Sequence, residues 1–586
     1  MNIRRFSSHA AIVLILILAF ILRMYGLNWD SGYHFHPDER MLIMVTERIT
    51  FFSQLNPDFF NYGSLPVYIL AAVAQLGQAF TKIPMDSYDG LLPVGRMLSV
   101  INDLLVIGLI YSISKILFKR RSVAVWAAFF YAVAFFPIQN SHFFIVDTYL
   151  NLFVTLLLYL LLRYQQQPSI KKAIIIGITY AAALTTKVTP VIFAPIILYT
   201  LFFPKTQHEN IFARIQSLFH HDRFKTLSGI LLKKRIVVII IFSLTTVLFS
   251  FLFMPYGFIE WKRFLQDVLL QVKMNSDPYV FPYTLQYVGT IPYLYYLENI
   301  FLWGLGPVIS VFSLVGLGVW GMKTIIRASD RSKKIVTSLT GIMHSPFTIY
   351  ILFYALYFVI IGKSAVKFMR YMLLMYPFFA VMAGYGVSAI LDLYKSHNGF
   401  FNKASLIPRL ALSVSFICFA LLWTLPFLQI YSTKSTRIAA TEWINKAVPP
   451  GATIAVEHWD DRVPIYDHGK YRYEELTLYD IPDSDFKWDV LNEKLERSDY
   501  IVIASNRLYI PLQRLQECGD HGRCYPRTGE YYRRLFANER GFVKVAEFTS
   551  YPRLAIGNWQ LKIIDDHADE SFTVYDHPKI MVFKKI

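Results

Sequence analysis

Charge and cysteine are what this chain has least of, and each scarcity excludes something. Only 17% of the 586 residues are charged while 55% are hydrophobic and 16% aromatic. With a mean hydropathy of +0.39, the chain falls outside the range of ordinary soluble domains. Three cysteines are too few for a disulfide scaffold. Cys418 lies in an apolar run, whereas Cys518 and Cys524 share a polar stretch where only an oxidising compartment favours a bridge. Walker A sequences, nucleophile elbows, internal repeats and low-complexity tracts are all missing. The apolar run that follows the basic N-terminus continues to Leu27 without a small-residue processing site. It reads as a retained helix, with Arg23, Tyr25 and Trp29 as interface anchors, and not as a cleaved leader.

What the chain does have is apolar runs, separated by short basic segments. The excess of 58 Lys and Arg over 41 Asp and Glu collects in those segments, so it describes topology and not nucleic-acid binding. Eleven stretches approach the roughly 17–25 residues a crossing needs. They fall near 9–27, 93–118, 121–138, 148–163, 172–187, 189–203, 236–254, 301–322, 347–362, 368–390 and 409–431. Residues 65–80 are apolar enough to be a twelfth. Leaving that segment out, as a helix lying at the outer interface, sends five basic segments to the cytoplasm: 119–121, 171–172, 204–235, 323–346 and 395–409. Counting it in would send all five outside. The expected architecture is therefore a polytopic α-helical membrane domain, residues 1–431, followed by an extracytoplasmic α/β domain, residues 432–586. Strand-like runs at 452–456, 500–504, 542–548 and 580–584 mark the second.

On this topology the ionisable residues of interest gather outside. Asp38 and Glu39 follow the first span in His36-Pro37-Asp38-Glu39-Arg40. They suit a base or a metal ligand, and equally a solvated loop. Asp147 begins the fourth span, where a carboxylate is costly unless used, capping or paired. Lys187, Lys363, Lys367 and Arg370 also face outward, against the positive-inside bias. An anionic headgroup or phosphate explains them, as does pairing with nearby carboxylates. Two other candidates carry little. Gly316-Leu317-Gly318-Val319-Trp320-Gly321 lies inside an apolar span and reads as helix packing, and His220-His221-Asp222 sits in a basic loop without further ligands. His458, Asp460, Asp461 and His577 suit a metal or an ordinary domain surface.

Taken in order, these motifs resemble the membrane-embedded GT-C glycosyltransferases, in the branch of protein O-mannosyltransferases and aminoarabinose transferases. His36-Pro37-Asp38-Glu39-Arg40 resembles the acidic first-loop motif of that family. Tyr62-Gly63-Ser64-Leu65-Pro66-Val67-Tyr68 takes the place of its K-P-P-L-Y segment, with the lysine absent. Arg96-Met97-Leu98-Ser99 resembles R-L-P-S, Asp147 the second outer aspartate, and Thr186-Lys187 the T-K after the fifth span. The stretch from Lys367 to Pro377 resembles R-Y-x-L-P-x-x-P. Glu442-Trp443-Ile444, Pro449-Pro450-Gly451 and Tyr575-Asp576-His577-Pro578 resemble external domains appended to bacterial members.

The resemblance implies an inverting enzyme of a bacterial inner membrane, with its active site facing outward. It would move a sugar from a polyprenyl-phosphate donor to an acceptor hydroxyl on a protein, lipid or glycan. Asp38 would be the base, with Glu39 beside it and Asp147 orienting the acceptor or Asp38. Lys187, Lys367 and Arg370 would bind phosphate, and Tyr62 and Arg96 would line the substrate site. No metal ligands are assigned, and a divalent ion stays open as a cofactor. The rival expectation is a transporter or flippase of lipid-linked sugars, against which stand the one-sided charges and the unlike halves. A non-catalytic receptor is a third, in which Asp38 and Asp147 would tolerate substitution.

Overall fold

The computed structural model describes residues 3–204, 223–329, 345–397, 406–519 and 523–586. His220-His221-Asp222 and the greater part of three of the basic loops lie outside these residues. In a bilayer the backbone must satisfy its own polar groups, which leaves the helix as the open-chain solution. The membrane part is accordingly helical: α1 (Ile3–Met24), α2 (Pro37–Glu47), α3 (Leu65–Thr81), α4 (Tyr88–Phe118), α5 (Arg121–Val133), α6 (Phe135–Ser141), α7 (Val146–Gln166), α8 (Ile170–Leu184), α9 (Ala194–Phe202), α10 (Arg223–Phe253), α11 (Trp261–Ser276), α12 (Pro307–Ser329), α13 (Pro346–Ile361), α14 (Tyr376–His397) and α15 (Leu406–Leu428).

All eleven expected segments are helical over most of their length. Among the described residues six helices are long and apolar enough to cross a membrane, or up to seven if α5 and α6, bent by 56°, form one span. Length and composition alone therefore do not establish eleven crossings. Helix α14 is the central element, packed between α5 and α12. Gly316 of α12 sits against the backbone of Met382 and Gly386, which is the helix packing expected of that glycine motif.

One expectation is corrected at the first span. Arg23 and Trp29 are buried and do not anchor an interface. Arg23 instead pairs with Asp103 of α4 at 2.6 Å and donates to the Ala132 carbonyl at 3.0 Å. A guanidinium inside a helical bundle is stable only with such partners, and these two come from other helices.

The polar C-terminal part follows α15. Its five-stranded sheet has the order β2-β1-β3-β7-β4. The strands are β1 (Thr453–Glu457), β2 (Arg472–Leu476), β3 (Tyr500–Ile503), β4 (Phe542–Phe548) and β7 (Ile580–Lys585). Strand β1 runs parallel to β2 and β3, whereas β7 is antiparallel to β3 and β4. A separate hairpin joins β5 (Arg553–Ile556) to β6 (Trp559–Lys562). Cys518 and Cys524 are bridged. Leu285 and Val288, from the loop between α11 and α12, enter the core of this sheet domain.

Candidate active site at the first loop

Helix α2 begins at Pro37, whose fixed φ and missing N–H suit the first helical position. His36 caps it, its Nδ1 accepting from the Glu39 N–H at 3.4 Å. Asp38 and Glu39 thus occupy the first turn, where the helix dipole favours negative charge. Their side chains leave the helix in different directions. Asp38 is 23% exposed and accepts from Arg370, and also from the Tyr62 hydroxyl at 3.3 Å.

A second ion pair lies alongside. Asp147, in the first turn of α7, accepts from Lys187 Nζ at 2.9 Å. The same ammonium stands 4.7 Å from the ring centroid of Tyr371 and 5.8 Å from that of Tyr62. What joins the two pairs is a backbone contact. Gly63 N–H donates to the Thr186 carbonyl at 3.1 Å, and Leu65 N–H to the Thr185 carbonyl at 3.2 Å. A Cβ on Gly63 would fall 1.9 Å from the Thr185 oxygen, so glycine is what lets the first loop lie against the chain before Lys187.

Tyr62, Lys187, Arg370 and Tyr371 form the polar end of a cavity of about 630 Å³. Its remaining wall is largely apolar, from Leu150, Leu184, Val188, Ile192, Val268 and Ile360, with the exposed Lys363 also on the lining. Helix α11 covers one side, held by Arg263 to Asp58 and by a T-shaped contact of Phe264 with Phe60. Burial, with the Asp38 charge adding to it, pushes the Tyr62 phenol well above its ordinary range, so this hydroxyl stays protonated.

Glu39 and Arg96 lie outside the cavity. Arg96 holds Glu39 through Nε and Nη2 at 2.9 and 2.7 Å, and Asp30 through Nη1 and Nη2 at 3.0 and 2.7 Å. All three side chains are essentially inaccessible, and Glu39 also accepts the Phe144 N–H at 2.7 Å. Burial alone would raise the Asp30 carboxyl, but Arg96 outweighs it and holds the group below the ordinary carboxylate range. Lys367 is also outside the cavity. It is buried, donates to the Ala365 carbonyl at 3.0 Å, and is pulled below its ordinary pKa by that burial.

Sequence reasoning missed three rings at this site: Tyr371, His36 and Tyr575. Tyr371 adjoins Arg370, so the R-Y pair was a usable signal. His36 packs at 4.0 Å on Tyr575, which no local pattern foretells. Tyr575 belongs to the segment 565–577, by which the C-terminal domain docks on the helices. Gln139 Nε2 donates to the Phe572 carbonyl at 2.8 Å and to Asp576 at 3.0 Å, and Tyr431 donates to Asp576 at 2.9 Å. His577 sits between Asp576 and Asp565. Burial opposes its charge, but the two carboxylates win and push it up to about 10. Among the described residues no group of three or more His, Cys, Asp or Glu is arranged to hold a metal. Asp460 and Asp461 are taken up by Arg437, and Asp461 also by Arg40.

Residues 69–220 match the family model described as dolichyl-phosphate-mannose-protein mannosyltransferase. No curated protein matches. Among solved structures, the apo oligosaccharyltransferase of Archaeoglobus fulgidus is 14% identical, covers 89% of this chain and 72% of its own, and superposes with a TM-score of 0.51. ArnT from Cupriavidus metallidurans, in the apo state, is 12% identical over 87% of this chain and 95% of its own, with a TM-score of 0.42. The chain is a multi-pass membrane protein with the GT-C glycosyltransferase fold, and the family match falls on its membrane part.

Proposed function

We propose that the chain is a polyprenyl-phosphate-sugar-dependent glycosyltransferase whose site faces the outer side of a bacterial inner membrane. The observation that carries this reading is the cavity with two cations at one end, Arg370 and Lys187, each neutralised by one carboxylate, Asp38 and Asp147. Its apolar wall suits a polyprenyl chain, and its cationic end suits a phosphate. The partial family match and the five-loop charge parity support the reading from independent directions. The bridge between Cys518 and Cys524 suits an oxidising compartment for residues 432–586.

In this reading a donor phosphate draws Arg370 away from Asp38 and leaves the carboxylate able to act as base. Asp38 takes the proton of the acceptor hydroxyl as its oxygen bonds to the anomeric carbon. The carbon–oxygen bond to phosphate breaks, and its electron pair leaves on the phosphate. Lys187 and Arg370 then hold the charge that develops there. Asp147 keeps Lys187 aimed into the cavity, Tyr62 steadies Asp38, and Glu39 with Arg96 holds the loop. Because Lys367 turns away from the cavity, phosphate binding rests on the other two cations.

The test uses purified protein and a polyprenyl-phosphate sugar. Asp38→Asn keeps the hydrogen-bonding shape and removes the base, so turnover should fall by about 10²–10⁴-fold with donor binding retained. Near-normal turnover would sink the assignment. Sidedness has its own test: a cysteine introduced within 66–80 should react with an impermeant reagent applied from outside, and labelling of 204–235 from that side would invert the topology.

A further inference from the structure

The β5–β6 hairpin stands apart from the five-stranded sheet, and two-stranded ribbons are marginal in water on their own. Its register pairs Arg553 with Lys562, Leu554 with Leu561, Ala555 with Gln560 and Ile556 with Trp559. Alternation then gives it two unlike faces. One face carries Leu554, Leu561, Ile556 and Trp559, and the other Arg553, Ala555, Gln560 and Lys562. Between the tip residues Ile556 and Trp559 the chain turns through Gly557 at φ +59°, which suits a two-residue hairpin turn.

Three observations need a partner. Ile556 and Trp559 are 60% and 50% exposed, and the nearby Ile564 is 59% exposed. Strand β5 packs against α15, the last apolar helix, and Arg553 and Lys562 share a cavity with Gln429 and Thr433, just beyond the C-terminal end of that helix. Arg553 and Lys562 stand directly opposite each other, and like charges so placed are destabilising without a counter-ion. Among the described residues neither is paired with a carboxylate. Both line a cavity of about 370 Å³ that also includes Lys434, Thr433 and Ser550. Of the charged residues there, Lys434 already pairs with Glu442 at 2.8 Å, and Glu547 with Lys544 at 2.6 Å.

We propose that this hairpin is a membrane anchor of the C-terminal domain: its apolar tip enters the leaflet beside α15, and Arg553 and Lys562 bind the headgroup of an anionic phospholipid. An aromatic ring at the headgroup level with cations just above it is the pattern of interfacial segments. The assignment is independent of the transferase reading, because it needs only the membrane and lies away from Asp38.

The full-length chain in nanodiscs tests it. In a Cys418→Ser background, Asn558→Cys at the turn and the exposed Glu539→Cys are labelled with a fluorophore and challenged with nitroxide lipids or aqueous iodide. The label at 558 should be quenched by lipid nitroxides and shielded from iodide, with the reverse at 539. Adding phosphatidylglycerol to phosphatidylcholine should deepen the quenching at 558, and Arg553→Ala with Lys562→Ala should abolish that gain, each cation being worth about fivefold in lipid occupancy. Iodide access at 558 equal to that at 539 would overturn the anchor. An anchored tip indifferent to anionic lipid in both proteins would overturn the headgroup site.

Discussion

Asp38 and Glu39 are adjacent in sequence and meet different cations. Asp38 meets Arg370 beside a large cavity and keeps some exposure, whereas Glu39 is sealed under Arg96 with Asp30 and a backbone N–H. The same first turn of α2 sets one carboxylate behind Tyr62 and Arg370, which line a substrate-sized space, and spends the other on holding the loop. Acidity and position along the chain are therefore poor guides to role, and the opposing cation decides.

Substitution can break this comparison. Arg96→Ala leaves two buried carboxylates unpaired, which costs about 3–5 kcal/mol. It should lower the thermal midpoint strongly, while Arg370→Ala, next to a cavity, should lose turnover with a far smaller change in midpoint. Equal midpoints for the two variants would mean that Arg370 and Arg96 hold the fold alike.

A smaller effect is expected where the C-terminal domain docks. His577 is held up to about 10 from an ordinary 6.5, so it binds its proton more tightly folded than unfolded. The stability it contributes is complete below about 6.5 and is lost as pH rises through about 10. The midpoint difference between the wild-type protein and His577→Gln should shrink across that range, and a constant difference would reject the charged triad. The least effect belongs to Tyr62→Phe, which removes one long hydrogen bond to Asp38. Turnover should fall by no more than about tenfold with the midpoint nearly unchanged; a larger loss would promote Tyr62 from steadying Asp38 to handling the proton itself.

Much of this molecule was legible before folding. Hydropathy located the eleven apolar segments because each reports its own surroundings over some twenty residues, and the strands β1, β3, β4 and β7 followed from short β-rich runs. Strands β2, β5 and β6 escaped, since Arg472-Tyr473-Glu474-Glu475-Leu476 lacks a clean alternation and the alternating strands of the hairpin are only 4 residues long each. Arg23 was misread as an anchor because its partner, Asp103, lies on another helix.

The sequence by itself determined that the chain lives in a membrane, where its apolar runs fall, and which acids and cations stand between them. Only the tertiary structure decided their pairing: Asp38 with Arg370, Asp147 with Lys187, Glu39 with Arg96. Hydrophobic periodicity is a local property of the chain. A salt bridge depends on which distant segments the packing brings within about 3–4 Å, and at the first loop that packing separates an accessible carboxylate from a buried one.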